Sequence, residues 1–156
     1  MSLVDLTEMK QSLKPGTRLL GLDLGKKIIG LALSDTTLTI ATPFEKMPRM
    51  TFATALEKII AVVNTQGVGG VVIGLPLNLN GSEGPAAQSA RAFARNLARQ
   101  SDLPICLWDE RLSTAAVTRT LLDADASRKR RAQLVDKMAA AFILQGAIDR
   151  LRHIEA

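Results

Sequence analysis

Residues 19–35, LLGLDLGKKIIGLALSD, place two apolar runs on either side of a Gly-Lys-Lys turn. So short a connection joins antiparallel strands, because a parallel return needs a crossover of a dozen or more residues. A third run follows closely, which predicts an antiparallel meander with strands at about 17–24, 27–34 and 38–44. Along the first strand successive side chains point to opposite faces. Leu20, Leu22 and Leu24 therefore share one face, while Gly21, Asp23 and Gly25 share the other. A carboxylate leaving water needs a cation, a metal or hydrogen-bond donors. Asp23 either bonds to the Gly-Lys-Lys turn or serves a ligand that the small neighbours let approach closely.

After the meander the pattern changes from alternation to helical spacing. TFATALEKIIAVVNTQG recurs with Phe52, Leu56, Ile59, Ile60 and Val63 on one face, and Gly67 is a stop signal. GGVVIGLP is apolar without alternation, as suits a parallel strand covered on both faces. The polar loop NLNGSEG leads into a helix from Pro85 to Gln100, with proline in its first turn. LPICLWDE is a fifth strand, STAAVTRTLLDA a further helix, and RAQLVDKMAAAFILQGAIDRL a long final one. The resulting order βββαβαβαα predicts an α/β fold, a mixed five-stranded sheet of three antiparallel strands, then two parallel strands reached through helical crossovers, flanked by helices. In such sheets functional residues gather at the carboxyl ends of the parallel strands. At 156 residues the chain is read as a short N-terminal extension, 1–16, and a single domain, 17–156.

Composition narrows the class of function. The single cysteine, Cys106, sits in an apolar run and is read as a small buried hydrophobe, so no disulfide framework holds the chain. With no long apolar span and no leader-like start, a soluble, cytoplasmic protein that binds no membrane is expected. From residue 111 onward nine Lys/Arg face five Asp/Glu, whereas the first 110 residues are nearly balanced, eleven against ten. A basic C-terminal third suits a polyanionic partner such as nucleic acid. Aromatics make up only 3% of the chain, which argues against base stacking on an aromatic platform.

Three acids stand out. Asp109 and Glu110 end the fifth strand, and alternation lets only one of them point toward a given site. Asp136 shares a helical stripe with Ala132, Ala139, Ala140, Ile143 and Ala147, the packing face of the last helix, unless it pairs with Lys137, Arg131 or the sheet. These acids explain one another best as ligands of a shared Mg²⁺ or Mn²⁺ site, with two ions about 3.5–4 Å apart suited to phosphodiester hydrolysis. His153, the only histidine, is read as an exposed helix-end residue, so a histidine-based mechanism has little to build on.

With these residues in view, LGLDLGKKIIGLALSD, VVIGLPLNLNGSEG, FARNL, DERLSTAAV and RKRRAQLVDKMAAAFILQ occur in order, and together the chain resembles the YqgF (RuvX) family. That resemblance implies an RNase H-like fold and a metal-dependent endonuclease. Its implied substrates are pre-16S rRNA, processed at the 5′ end, or Holliday junctions; RNA processing is the favoured reading. It also implies that Asp23, Glu110 and Asp136 form the catalytic metal site, with Asp109 as the spare acid. Two departures are visible: Ile28 where a basic residue is common, and Ser113 where a threonine is. The first motif alone also looks like the phosphate loop of actin-like kinases, but this chain lacks the length for their second large domain, and no Walker A pattern is present.

Lys26, Lys27, Arg111, Arg128, Lys129, Arg130, Arg131 and Lys137 are the candidate contacts to nucleic acid. The 128–131 cluster is expected as a flexible basic lip ahead of the last helix, supplying affinity without sequence information. Arg91, Arg95 and Arg99 form a ridge better read as an ordinary solvated helix face. The GLPLNLNGSEG loop could offer backbone N–H groups to a phosphate. The chain is expected as a monomer or a homodimer, since junction cleavage calls for two symmetric sites, and a ribosomal or transcription partner is compatible. A factor that binds nucleic acid without cutting it is the alternative of another class.

Overall fold

A computed structural model describes residues 3–112 and 128–154, with residues 128–137 given by their backbone. The helix expected over STAAVTRTLLDA lies outside the described residues. A first helix, α1 (Leu6–Ser12), opens on a capping box, in which Asp5 accepts from the Glu8 amide at 2.8 Å and the Glu8 side chain faces the Asp5 amide. β1 (Arg18–Leu24) and β2 (Ile28–Ser34) make the expected hairpin, with Leu22 opposite Leu31 and Asp23 opposite Gly30.

β3 (Ala41–Pro48) starts and ends later than the 38–44 predicted from its apolar run. The reason lies in Asp35. Its carboxylate accepts the amide hydrogens of Thr39 and Ile40 at 2.7 and 3.0 Å and the hydroxyl of Thr37, while Leu38 takes a left-handed φ of 55°. Residues 35–40 are thus a side-chain-capped turn, the alternative that Asp and Thr offer to a ladder.

α2 (Phe52–Gln66) ends where Gly67 adopts φ 64°, and its amide caps the carbonyl of Val63. β4 (Val68–Leu75) runs parallel to β1, α3 (Pro85–Gln100) crosses back, and β5 (Ile105–Asp109) runs parallel to β4. A short 3₁₀ turn, Glu110–Leu112, follows at once. The last helix, α4 (Arg128–Arg152), begins three residues earlier than expected. The basic residues 128–131 are therefore its first turn rather than a lip ahead of it; arginine and lysine are good helix formers and nothing between them breaks the helix.

The sheet order is β3-β2-β1-β4-β5. One face is covered by α2 and α3, whose Ile59, Phe93 and Leu97 pack on Leu20, Leu22 and Ile73. The other is covered by α4, whose Ile143, Leu144 and Ile148 pack on Leu19, Val72 and Trp108. Each such fully buried leucine or isoleucine contributes roughly 1.5–3 kcal/mol.

The N-terminal residues expected as an extension are packed on this second layer. Met9 is wholly buried in it, Leu3 bridges to Ile105, and the Lys10 ammonium donates to the carbonyls of Leu151 (2.9 Å) and Ile154 at the end of α4. Among the described residues no helix is long and apolar enough to cross a membrane.

Candidate active site

The face on which Asp23 lies is settled by its neighbour two residues back. A Cβ built on Gly21 would meet Leu144 Cβ at 2.7 Å and the Ala140 carbonyl oxygen at 3.2 Å, so this face of β1 looks at α4. By alternation Asp23 points the same way, one residue beyond the Leu22–Ile73 pair of the β1–β4 ladder. Its partner on β2 is Gly30, and the next position on β4 is Gly74. Asp23 thus lies between two strands that put no side chain beside it.

Glu110 enters the same bay from β5. Gly74 pairs with Trp108, which packs under α4, and Glu110 follows Trp108 by two residues. A Cβ on Gly74 would lie 3.2 Å from Glu110 Oε2, which places that carboxylate directly over the missing side chain. Asp23 and Glu110 are only 6% and 5% exposed. Two carboxylates are therefore buried at the carboxyl ends of parallel strands, in a bay whose glycines let α4 approach closely, with Ile143 packed on Gly74.

Asp109 pairs with Leu75 across the ladder, one step out of phase with Trp108. Its partner is Arg111, whose guanidinium donates to both carboxylate oxygens with a shortest contact of 2.8 Å. That hydrogen bond, above all, holds the Asp109 carboxyl below its usual range and raises the Arg111 guanidinium. Arg111 also donates to the Leu79 carbonyl at 3.2 Å, so it braces the β4–α3 loop.

On α4 the backbone at position 136 lies one turn before Ala140, the residue packed over Gly21. The side chains of Asp136, Lys137 and the 128–131 cluster lie outside the description. Among the described residues no group of three acids, histidines or cysteines stands together.

Lys26 and Lys27 are exposed on the β1–β2 turn, just beyond Asp23. One residue that sequence reasoning missed fixes this turn. Arg49 donates from its backbone to the Lys27 carbonyl (2.7 Å), and from its guanidinium to the Gly25 carbonyl (3.0 Å) and Ser89 Oγ on α3 (2.6 Å). The glycines of the bay were missed too, although a lone glycine inside an apolar strand, as in IIGLAL and VVIGLP, is a signal of close approach.

The remaining candidates behave more plainly. Arg91 makes a two-pronged bond to Glu83, both contacts 3.0 Å, which lowers the Glu83 carboxyl, and Phe93 and Leu97 of the same helix are buried. The β4–α3 loop spends its amides internally: Asn78 N–H on Ser82, Gly81 N–H on Asn78 and Ser82 N–H on the Asn80 side chain. His153 is exposed and its Nδ1 lies 2.7 Å from the Asp149 carbonyl.

This sheet and its two helical layers define a RuvC-like RNase H fold. A solved structure of T. thermophilus RuvC in complex with Holliday junction substrate superposes with a TM-score of 0.53 over 89% of this chain and 98% of that one, at 13% identity. The chain belongs to the RuvX family, described as Holliday junction resolvase, whose pattern matches residues 17–150. A protein of Paramagnetospirillum magneticum named "Putative pre-16S rRNA nuclease" is 61% identical over 149 residues, 96% of each chain. A relative of the same name from Roseobacter denitrificans is 52% identical over 158 residues, covering 100% of this chain and 97% of its own.

Proposed function

We propose that this chain is an endonuclease that hydrolyses phosphodiester bonds with Mg²⁺ or Mn²⁺ and matures the 5′ end of pre-16S rRNA. The observation that carries the reading is the placement of two buried carboxylates, Asp23 and Glu110, on the α4 face of the sheet at the strand ends, where Gly30 and Gly74 put no side chain of their own. Oxygen ligands from separate rigid elements suit a hard divalent cation.

In this reading Asp23, Glu110 and Asp136 hold the ions, most simply two. When bound, such ions supply Lewis acidity at the phosphoryl oxygens and lower the pKa of an attacking water. The protein's part is placement. β1 and the end of β5 fix two carboxylates on one face, the backbone of α4 carries a third acid at the same end, and the fold keeps bulk water from Asp23 and Glu110. Lys26 and Lys27, on the turn held by Arg49, engage phosphates beside the bay, and Arg128, Lys129, Arg130, Arg131 and Lys137 in the first turns of α4 are further candidate contacts. Such contacts position a backbone without reading sequence. Asp109 and Arg111 support the strand end on which Glu110 sits.

The family's description and the RuvC-like fold favour a second substrate, the four-way DNA junction, for which two copies of the chain would be needed. The test is cleavage of a precursor rRNA fragment and a mobile four-way junction, with Mg²⁺ or Mn²⁺, by wild type and Asp23→Asn. Cutting of the RNA by the wild type alone supports the proposal, and cutting of the junction alone selects the second reading. Binding of both with cleavage of neither overturns the nuclease and leaves a nucleic-acid-binding factor.

A further inference from the structure

The loop between β4 and α3 carries Leu79 at its tip, 95% exposed and the most exposed large hydrophobic side chain among the described residues. This leucine is presented rather than loosely hung. Beneath it Asn78 N–H bonds to the Ser82 carbonyl (3.0 Å), Gly81 N–H to the Asn78 carbonyl (2.8 Å), and Asn78 Nδ2 to Ser82 Oγ (3.0 Å). Asn80 Oδ1 accepts from the Ser82 amide at 3.0 Å, and Gly81 turns the chain with φ 87°. From outside the loop Arg111 holds the Leu79 carbonyl at 3.2 Å while gripping Asp109. Arg111 and Asp109 flank Glu110 in sequence, so the tip is tied to the strand end that delivers a carboxylate to the bay.

We propose that Leu79 is an apolar wedge that enters a base step of the nucleic acid lying across the Asp23–Glu110 bay. The inference rests on the nuclease reading above and adds to it a selection for branched or distorted substrates. A leucine held rigidly in water gains when its methyl groups are buried, and apolar side chains inserted between bases are a recurrent way to unstack and kink a helix. Unstacking costs least where pairing is already broken. Leu79 therefore favours a junction, bulge or helix end over a uniform duplex. The chain's few aromatics fit this, because one aliphatic wedge replaces a stacking platform.

The experiment places 2-aminopurine at the branch of a four-way junction, at a helix–loop boundary of the precursor rRNA, and inside a linear duplex. Binding is followed with Asp23→Asn, so that no strand is cut, alone and combined with Leu79→Ser or Leu79→Phe. Asp23→Asn is expected to raise the fluorescence at the branch or boundary, Leu79→Ser to abolish the rise, and Leu79→Phe to restore it. The preference for branched over linear substrate should fall about tenfold with Leu79→Ser, roughly half or more of what full burial of one leucine contributes. Equal fluorescence and equal preference with and without Leu79 overturn the wedge and leave the side chain to an apolar pocket on a protein partner. If Asp23→Asn binds none of the three substrates, the nuclease reading and the wedge fall together. Cleavage by an otherwise wild-type Leu79→Ser chain with unchanged selectivity removes the wedge alone.

Discussion

Replacing Gly74 by alanine tests the bay from within. The new Cβ would meet Ile143 Cδ1 at 2.5 Å and Glu110 Oε2 at 3.2 Å. Ordinary carbon contacts lie near 3.5–4.0 Å, so the Ile143 methyl must retreat by about 1 Å. Ile143 is completely buried, and overpacking of this kind costs ~1–3 kcal/mol. The carboxylate needs to give only a few tenths of an ångström. A displacement of about 1 Å at a reacting site costs up to ~10²-fold, so roughly threefold to tenfold loss in kcat is expected here. Stability would be read by urea denaturation and kcat by cleavage of the preferred substrate. Adding Ile143→Val separates the two effects. That change removes Cδ1, costs ~0.5–1.5 kcal/mol by itself, and should make Gly74→Ala nearly neutral for stability. It leaves Glu110 crowded, so kcat should stay low. Recovery of stability and kcat together would show that Glu110 plays no part near Gly74, and an unchanged single variant would refute the bay.

Three further outcomes follow from residues away from the bay. Met9→Ala empties a fully buried position between α1, the sheet and α4, and should cost ~2–5 kcal/mol in urea denaturation while leaving kcat per folded molecule intact; a loss below 1 kcal/mol would mean that α1 is only loosely docked. The Asp35 carboxyl is held well below its usual range by the Thr37 hydroxyl and the amides of Ile40 and Thr39. Its contribution is therefore complete above the unfolded pKa of about 3.9 and is lost as pH falls toward the lower folded value. The Tm difference between wild type and Asp35→Ala should stay level from pH 7 to about 5 and shrink below about 4, and a difference that widens in acid would contradict the assignment. The Cys106 thiol is buried and pushed up to about 12 by desolvation, so a thiol reagent at pH 8 should label it only as fast as the chain unfolds.

Much of this architecture is legible in the sequence. The Gly-Lys-Lys turn forces a hairpin, and GGVVIGLP lacks alternation because α4 covers one side of β4 while α2 and α3 cover the other. Proline at the start of α3 and Gly67 at the end of α2 mark boundaries through backbone stereochemistry, which is local and therefore readable. What escaped depends on partners distant in sequence. β3 was misplaced because the Asp35 side chain captures the amides that would otherwise extend the ladder, and both conformations suit the same letters. The start of α4 was misplaced because a run of four cations reads equally as a solvated segment or a first turn. Alternation alone left Asp109 and Glu110 equivalent; only the register of β5 against β4 shows which of them follows Trp108 onto the α4 face. Arg49 was invisible for the same reason, since its three partners lie on the hairpin turn and α3.

The grip of Lys10 on the carbonyls of Leu151 and Ile154 links positions 141 and 144 residues apart. At a bacterial elongation rate of ~5–20 residues per second, those carbonyls leave the ribosome roughly 7–30 s after the ammonium that caps them. During that interval Met9 and the α4 side of the hairpin have nothing to cover them, which invites chaperone holding rather than folding. The same delay leaves Asp23 without the helix that closes its bay. The α4 face of the sheet, Asp23 included, is therefore covered only once the last helix has been made and docks.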